Sequence, residues 1–455
     1  MAGDDRFLMG CGAGFLGDRI DAPVSVVDCI ARSGRPGAIM FETLAERTLA
    51  LGQVARREDP TRGYEPLLAE LVGPVLPICI RNGIPIVGNF GAANPPAAAA
   101  LLRRLAQEAG LPDVRIAVVL GDDIRETITL KDLDVWEGDA GLRGGTDALV
   151  AANVYLGARQ IADALLQGAQ IVVTGRVADP ALALGPLVAH FGWDWEDWDR
   201  LAAGTLVGHL LECGSQVTGG YYADPGYKDV PRPEAIGFPI AEVSADGGFV
   251  VTKAPGTGGL VSVRTVTEQV LYEMHDPAAY LTPDVTLDVT GIELEEAGPD
   301  RVRVTGVRGW PQPPSLKATV SFPGDWLGEA EISYAGPNAM ARARLAADII
   351  GKRIEMRRLP VRKRLDLIGA LSVFDSDAGS LAPKMTGELA EVRVRLAVSG
   401  VERLPVEQSL QEVLALLCCG PAGGGGMRSR VQNRIRTVSY LVPRSMVSPS
   451  VEFCA

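Results

Sequence analysis

The chain contains 455 residues, more than one ordinary hydrophobic core holds, so at least two domains are expected. Hydrophobic residues make up 47% of the chain and charged residues 22%, the composition of a folded globular protein. The net charge of −12 argues against nucleic acid and anionic membrane surfaces as partners, since both require a basic face.

The cysteines and the first residues predict a cytoplasmic protein. The seven cysteines show no spacing typical of a disulfide framework. The acidic start, MAGDDRFLMG, differs from the basic start of a signal peptide, and no apolar run approaches the roughly 18 residues of a membrane span. The expected partner is therefore a small molecule, and a homo-oligomer is expected on general grounds.

A glycine-rich loop follows the first predicted strand, at residues 7–9. Gly12, Gly14 and Gly17 match the G-x-G-x-x-G spacing of dinucleotide-binding folds. The next predicted strand ends at Glu42, near the position of the acid that binds the ribose in such folds. One hypothesis is therefore a nicotinamide or flavin site at this loop.

A second interpretation of this loop needs no dinucleotide. The polar residues 18–23 indicate that the next helix begins late, near Asp21 as its cap, whereas the third glycine of a dinucleotide fold lies inside that helix. Gly12 and Gly14 would then only allow a ligand to approach the backbone, because glycine carries no side chain.

Two asparagines follow the predicted strand at residues 84–88. Asn94 precedes Pro95, which is the usual N-cap and first-turn pair of a helix. Asn89 has no such structural role, so it is the candidate ligand contact.

Two adjacent carboxylates, Asp122 and Asp123, follow the predicted strand at residues 114–120. They either hold a cation or act as acid and base, or they belong to a solvated turn. Because adjacent side chains diverge, we expect only one to enter a binding crevice. Residues 131–147 then predict a polar, glycine-rich excursion or lid.

The most informative stretch of the sequence covers residues 153–180. Apolar residues at helical spacing predict an amphipathic helix from Asn153, and residues 171–173 predict a buried strand. Arg176 lies just beyond that strand, where a guanidinium suits a carboxylate or phosphate. Asp179 is either an acid–base group or the cap of the helix that Pro180 opens.

Alternating helices and strands predict an α/β fold with a doubly wound, mostly parallel sheet. Such sheets bind ligands beyond the carboxyl ends of their strands, where Asn89, Asp122 and Arg176 would lie.

The composition changes near residue 285 toward alternating β-branched strands, with a hairpin around residues 298–300. We therefore expect an α/β ligand-binding and catalytic domain over residues 1–285 and a smaller α+β domain over residues 286–455.

A predicted helix over residues 200–213 carries His209, Glu212 and Cys213 on one face. Metal binding is conceivable there, but His-x-x-Glu-Cys is no established zinc signature and no fourth ligand is evident, so no metal site is predicted. His209 is a candidate general acid or base.

Two glycine-rich loops offer backbone N–H groups to an anion, although plain connecting loops explain them equally well. The first contains Lys253, Thr257, Gly258 and Gly259. The second is the glycine run at residues 423–426, which Arg428 follows. Each would bind a phosphate or carboxylate.

Several long stretches resemble the acyclic terpene utilisation family named for AtuA, over nearly the whole chain. They are GAGFLGDR (12–19), NVYLGARQIADALLQGAQIVVTGRVADPALALGPLVAHFGW (153–193), VGHLLECGSQVTGGYYADP (207–225), TKAPGTGGLVSV (252–263), LYEMHDPAAYLTPDV (271–285) and CGPAGGGG (419–426). The resemblance implies a role in the catabolism of branched acyclic terpenoids and related acids through coenzyme A thioesters. It implies no mechanism for individual residues, and it makes nicotinamide binding at Gly12–Gly17 less expected.

We therefore expect a lyase, of the hydratase or carbon–carbon cleaving type, that transfers protons next to the carbonyl of an acyl-CoA or carboxylate. Coenzyme A would enter as part of the substrate. Asp122, Asp179 or His209 would move protons, and Asn89 and Asn153 would orient the substrate.

The substrate anion, or an oxyanion that develops from it, would lie at Arg176 and at the N–H groups near residues 257–259. An Arg176→Ala variant should then bind substrate weakly and keep its melting temperature. Two alternatives remain open: a non-catalytic subunit or ligand-binding partner of an acyl-CoA enzyme, and a NAD-dependent oxidoreductase.

Overall fold

The computed structural model describes residues 5–130, 133–138, 149–370, 372, 375–377 and 389–454. It contains two compact units, one formed by Met1–Ser321 with Thr437–Ala455 and the other by Phe322–Arg436. Residue 285 lies inside the first unit, and the division into domains at that residue stays a prediction. The predicted excursion at residues 131–147 lies outside the described residues except for 133–138.

The helices and strands of the first unit are as follows. Its helices are α1 (Ala22–Ser33), α2 (Glu46–Glu58), α3 (Leu68–Val72), α4 (Leu76–Arg81), α5 (Pro95–Glu108), α6 (Arg159–Leu166), α7 (Ala181–Phe191), α8 (Trp198–Leu211) and α9 (Val263–Leu271). Its strands are β1 (Phe7–Ala13), β2 (Gly37–Phe41), β3 (Ile86–Gly88), β4 (Ile116–Leu120), β5 (Asp134–Glu137), β6 (Ala151–Val154), β7 (Ile171–Thr174), β8 (Pro239–Val243), β9 (Phe249–Lys253), β10 (Tyr280–Leu281), β11 (Thr286–Asp288), β12 (Glu293–Glu296), β13 (Val302–Thr305), β14 (Arg308–Trp310), the first part of β15 (Ser315–Ala335), the last part of β18 (Gly425–Pro443) and β19 (Ser450–Phe453).

A ten-stranded sheet in the order β12-β13-β9-β8-β1-β2-β3-β7-β4-β19 organises the first unit. The five central strands, from β1 to β4 in that order, are parallel, and the strands on both sides of them pair antiparallel. The α/β class is therefore confirmed, but the doubly wound, mostly parallel arrangement is not, because the sheet is mixed. The central strands are buried on both faces, which explains their continuous apolar sequences.

One predicted element is wrong. Asn153 does not begin a helix: it lies in β6, which pairs antiparallel with β15 so that Asn153 is opposite Thr319, and α6 begins only at Arg159. The apolar spacing that suggests a helix holds for residues 159–166. Residues 151–154 are extended because a strand distant in sequence supplies their hydrogen-bond partners, a contact that local spacing does not reveal.

The second unit contains β16 (Arg362–Ile368), β17 (Glu391–Gly400), α10 (Ala339–Met356), α11 (Arg403–Cys419) and the remaining parts of β15 and β18. Strands β16, β17 and β15 form an antiparallel sheet. Alternate residues of β17 pack with α10 and α11 in its core, namely Val392, Val394, Leu396 and Val398 with Ile350, Leu410 and Val413. Period-two patterning in β17 and helical spacing in α11 predict this arrangement.

The predicted hairpin around residues 298–300 is confirmed as β12 and β13. Among the described residues, no helix is long and apolar enough to cross a membrane.

Candidate functional site

Polar side chains follow four neighbouring parallel strands at the edge of the sheet where those strands end. Glu42 follows β2, Asn89 follows β3, Arg176 follows β7 and Asp122 follows β4. The carboxyl ends of parallel strands meet at one edge, so the structure brings these residues together as the sequence suggests. Hydrogen bonds join them in two groups, one around Arg176 and one around Glu42.

The Arg176 side chain is 1% exposed, and each nitrogen of its guanidinium contacts an oxygen of the protein. Its Nε donates to the Val177 carbonyl at 2.8 Å and its Nη1 to the Leu44 carbonyl at 2.5 Å. Its Nη2 donates to the Asp179 carboxylate. The Tyr155 ring lies 4.6 Å from the guanidinium carbon. Arg176 therefore joins two strand-end loops, whereas the sequence suggests a ligand-facing guanidinium.

Asp122 contacts the backbone of Arg176 and is 5% exposed. Its Oδ2 accepts the Arg176 backbone N–H at 2.9 Å and the Asn153 side-chain N–H at 2.8 Å. Burial raises the pKa of Asp122 to about 6, although these two hydrogen bonds oppose the shift. Asp123 instead pairs with Arg125 at 2.7 Å, so only one of the adjacent carboxylates enters the site, as expected.

Asn89 positions Glu42. The Asn89 side chain is fully buried, accepts the Thr43 N–H at 2.8 Å and donates to Glu42 Oε1 at 2.9 Å. Glu42 also accepts the Leu44 N–H at 2.7 Å. Burial holds the pKa of Glu42 well above its usual range, the charge of Asp179 adds to this shift, and Arg176 opposes it.

Asp179 is more accessible to solvent than its partner Arg176, since the Asp179 side chain is 33% exposed. It does not cap α7, because Pro180 occupies the N-cap position and the Asp179 carboxylate pairs with Arg176. Burial raises the pKa of Asp179, Arg176 lowers it, and the charges of Glu46 and Glu273 raise it further.

A second acid–base pair lies at the end of α8. His209 Nδ1 is 3.1 Å from Glu212 Oε1, and its Nε2 is 3.2 Å from the Val270 carbonyl. Because a carbonyl only accepts, Nε2 carries hydrogen, and a single proton then joins Nδ1 to the Glu212 carboxyl. Burial raises the pKa of Glu212 to about 7, and the Asp179 charge adds to this. Burial lowers the pKa of His209, but Glu212 reverses that shift, so the net change is upward.

Asp179 and Glu212 are thus electrostatic neighbours from two different elements. Glu273 acts on both carboxyls, and Glu212 Oε2 is buried without a hydrogen-bond partner among the described residues. Burial and the Glu212 charge raise the pKa of the Cys213 thiol, so this thiol is neutral rather than a thiolate nucleophile. Within the described ranges, no group of three or more His, Cys, Asp or Glu side chains is arranged to hold a metal ion.

Gly12 and Gly14 serve close packing of the chain. A Cβ at Gly14 would lie 2.3 Å from the Gly214 nitrogen, and one at Gly12 would lie 2.6 Å from the Phe41 ring. The Gly14 N–H donates to the Asp18 carboxylate at 2.8 Å, where a dinucleotide fold would hold a pyrophosphate. A carboxylate there repels such an anion.

The helix after this loop also argues against a dinucleotide. Helix α1 begins at Ala22 with Asp21 at the N-cap position, as the sequence predicts, so Gly17 precedes the helix. The third glycine of a dinucleotide fold lies within it.

The loop at Lys253 keeps its donors occupied within the protein. Lys253 Nζ lies 3.0 Å from Asp300 Oδ2, and the Thr257 N–H donates to the Ala254 carbonyl. The N–H groups of Gly258 and Gly259 donate to the carbonyls of Ala235 and Pro231, each at 2.7 Å. These donors do not face an open anion site and are not part of the candidate site.

Arg428 belongs to the second unit, away from the sequence ranges that build this edge. Its side chain is 66% exposed and lies 3.8 Å from Glu331. It stays a candidate anion contact of that unit.

Some members of the site carry little sequence signal. Tyr155 donates to Glu46 at 2.5 Å, and Lys317 lies 3.4 Å from the same carboxylate. Burial opposes ionisation of Glu46, but these partners lower its pKa to about 2. In the sequence, the only signal at Glu212 is that it lies three residues after His209, on the same face of the predicted helix. Tyr155 and Glu46 meet through tertiary contacts, which no spacing reveals.

A Gly14→Ala variant tests the close approach at β1. The added methyl group would meet the backbone at Gly214, so we expect a loss of about 1–3 kcal/mol in the free energy of unfolding. Urea denaturation measures it. Gly425→Ala is the matched control, since a Cβ there meets open space. Equal stability of both variants would contradict the described packing.

Arg176→Ala should lower stability strongly, contrary to the expectation from sequence. Removing a buried cation leaves the Asp179 carboxylate and two carbonyls without their partner, which costs about 3–5 kcal/mol. The control is Arg303→Ala, whose pair with Glu295 is more than half exposed and contributes at most about 1 kcal/mol. An unchanged melting temperature of Arg176→Ala would restore the ligand-binding interpretation.

Asp122→Asn should change how stability depends on pH. The folded-state pKa of Asp122 is raised, so its ionisation destabilises the fold as the pH rises from about 4 to above 6. A shift of about two units corresponds to about 3 kcal/mol. Asparagine keeps the accepting oxygen and cannot ionise, so the variant should gain stability relative to the natural chain over that range. Parallel pH curves from urea denaturation would refute the assignment.

Comparison with known proteins identifies one family. The sequence model of the family described as "Acyclic terpene utilisation family protein AtuA" matches residues 7–453. No curated protein matches the sequence. A de novo designed protein, Foldit4, aligns with 24% of this chain and 98% of its own at 10% identity, with a TM-score of 0.18. The chain therefore belongs to the acyclic terpene utilisation family AtuA, and this membership indicates a role in acyclic terpene utilisation.

Proposed function

We propose that this protein is an enzyme that transfers protons next to the carbonyl of a branched, terpenoid-type acyl group, with Asp179 and Glu212 as the acid–base pair. The observation that carries the proposal is the convergence of two carboxyls with raised pKa values. One of them, Glu212, titrates at about 7 and shares a proton with His209. A group that titrates near the working pH is best suited to both donate and accept a proton.

The two carboxyls differ in their surroundings, which separates their roles. Asp179 keeps an ion pair with Arg176, so it is the member that stays ionised and accepts the proton. Burial and the charges of Asp179 and Glu273 raise the pKa of Glu212 to about 7 although His209 opposes this shift, so Glu212 is the member that donates toward the carbonyl oxygen. Hydration, dehydration and carbon–carbon cleavage each include a proton transfer at the carbon next to the carbonyl, and a lyase of one of these types is the proposed reaction class.

The charge of the site favours a thioester over a free acid. Three further carboxylates, Glu42, Glu46 and Glu273, act on Asp179 or on its neighbours, and Arg176 is already bonded to protein oxygens. A second anion at this place would be repelled, whereas a neutral thioester carbonyl accepts a hydrogen bond from a protonated carboxyl. The proposed substrate is therefore an acyl-CoA ester.

Deuterium uptake tests the chemistry without knowledge of the full reaction. The protein is incubated in D₂O with a panel of branched, saturated and unsaturated acyl-CoA esters, and mass spectrometry follows deuterium at the carbon next to the carbonyl. We expect uptake with the natural chain and a loss of about 10²- to 10⁴-fold in Asp179→Asn and Glu212→Gln. The uptake rate should fall as the pH rises through about 7, because Glu212 must be protonated to donate.

The matched control is Glu295→Gln, which removes a carboxylate that is 69% exposed and should leave the rate unchanged. Thermal denaturation checks that each variant is folded. Absence of uptake in the natural chain with every ester, or full uptake in Asp179→Asn, would reject the proposal. The first result would favour a non-catalytic, ligand-binding protein.

A further inference from the structure

Tyr280 lies beside the candidate site and has no role in the proposed function. The centres of its ring and of the His209 ring are 5.5 Å apart, and His209 Nδ1 is 3.1 Å from Glu212 Oε1. The His275 ring lies 5.6 Å from the Tyr280 ring. Two histidine rings therefore contact this phenol, and one of them belongs to the partner of the proposed proton donor.

The backbone that carries Tyr280 is fixed by tertiary contacts. Tyr280 belongs to β10, whose pairing with β11 places it opposite Leu287, a fully buried residue. Thr282 closes the turn between these strands, because its Oγ1 donates to a backbone carbonyl of the turn at 2.6 Å. The Asp284 carboxylate accepts the Ala158 N–H at 2.9 Å and so ties the turn to the segment before α6. Strand pairing and the turn, rather than the hydroxyl, therefore set the position of the phenol.

The Tyr280 hydroxyl is a donor without an acceptor inside the protein. No described residue accepts a hydrogen bond from it. Burial raises the pKa of this phenol well above its usual range, and the charges of Glu212 and Asp179 raise it further. The hydroxyl therefore keeps its proton and stays a donor. A hydroxyl that is withdrawn from water costs free energy unless a ligand supplies the missing acceptor.

The segment between α9 and β10 brings a further carboxylate to the same place. Glu273 has a φ of 55°, which residues other than glycine rarely adopt. Its charge acts on Tyr280 as well as on Asp179 and Glu212. Strain of this kind persists only when the surrounding structure maintains it, and it occurs preferentially at functional sites. A neutral donor among carboxyl groups suits a neutral carbonyl oxygen better than an anion.

We propose that Tyr280 is a catalytic residue that donates its hydroxyl hydrogen to the carbonyl oxygen of the substrate, together with Glu212. This assignment rests on the proposed function. When Asp179 removes the proton from the carbon next to the carbonyl, the electron pair of that C–H bond forms a carbon–carbon double bond, and negative charge moves to the oxygen. A donor fixed at that oxygen stabilises the resulting enolate more than the neutral carbonyl, and this difference lowers the barrier.

Tyr280→Phe keeps the ring and removes only the hydroxyl. Loss of one such donor should lower kcat for deuterium uptake from branched acyl-CoA esters about 10²- to 10³-fold, with little change in KM. Because no described residue accepts a hydrogen bond from this hydroxyl, the midpoint of thermal denaturation should not fall. Tyr227→Phe is the matched control: Tyr227 is 84% exposed, so its variant should keep both the rate and the stability.

A second measurement does not depend on turnover. Pivaloyl-CoA is branched and has no hydrogen on the carbon next to its carbonyl, so it binds without exchange. A hydrogen bond from Tyr280 weakens the carbonyl bond. Isotope-edited infrared spectroscopy should therefore find the carbonyl band of bound pivaloyl-CoA at lower frequency in the natural chain than in Tyr280→Phe.

The two measurements separate this assignment from the proposed function. Unchanged uptake in Tyr280→Phe would overturn the assignment and leave the proposed function intact, and a lowered denaturation midpoint would mark the hydroxyl as structural. If the natural chain takes up no deuterium but the pivaloyl-CoA band moves on substitution, the hydrogen bond to the carbonyl stands and the proposed chemistry is wrong. If no ester exchanges and pivaloyl-CoA does not bind, both are wrong.

Discussion

A single buried guanidinium, that of Arg176, determines the arrangement of the strand-end loops in the first unit. A charge without access to water must find compensation inside the protein. Arg176 finds it in two carbonyls, one carboxylate and the face of the Tyr155 ring. The carbonyl of Leu44 comes from the loop after β2 and that of Val177 from the loop after β7. The need to pair one cation therefore fixes two loops at once.

The same exclusion of water produces the chemistry of the site. Burial raises the pKa values of Glu42, Asp122, Asp179 and Glu212, because each carboxylate loses solvation and repels its neighbours. Arg176 and His209 offset only part of this repulsion. A protonated carboxyl beside an ionised one is the arrangement that proton transfer requires, and it disfavours a further anion. The proposed reaction type and the neutral form of the proposed substrate both rest on these raised pKa values.

The place of the site follows from the sequence, but the roles of its residues do not. Arg176, Asp122 and Asn89 each follow a short apolar run, and the rule that parallel strands end at one edge suffices to bring them together. Whether Arg176 faces a ligand or a carbonyl depends on Leu44, which lies 132 residues away in sequence. The i, i+3 spacing of His209 and Glu212 is visible beforehand, whereas Asp179 reaches Glu212 only through the packing of the folded chain.

The α/β class, the buried central strands, the late start of α1 and the family can all be predicted from the sequence alone. These depend on local apolar spacing, on cap residues and on long ordered motifs, which act or are recognised without distant partners. Three other features depend on the folded chain: Asn153 lies in a strand, the outer strands of the large sheet are antiparallel, and Gly12 and Gly14 serve packing. Each of these depends on a partner far along the chain, such as Thr319 or Gly214, and the free energy of that contact overrides the local preference.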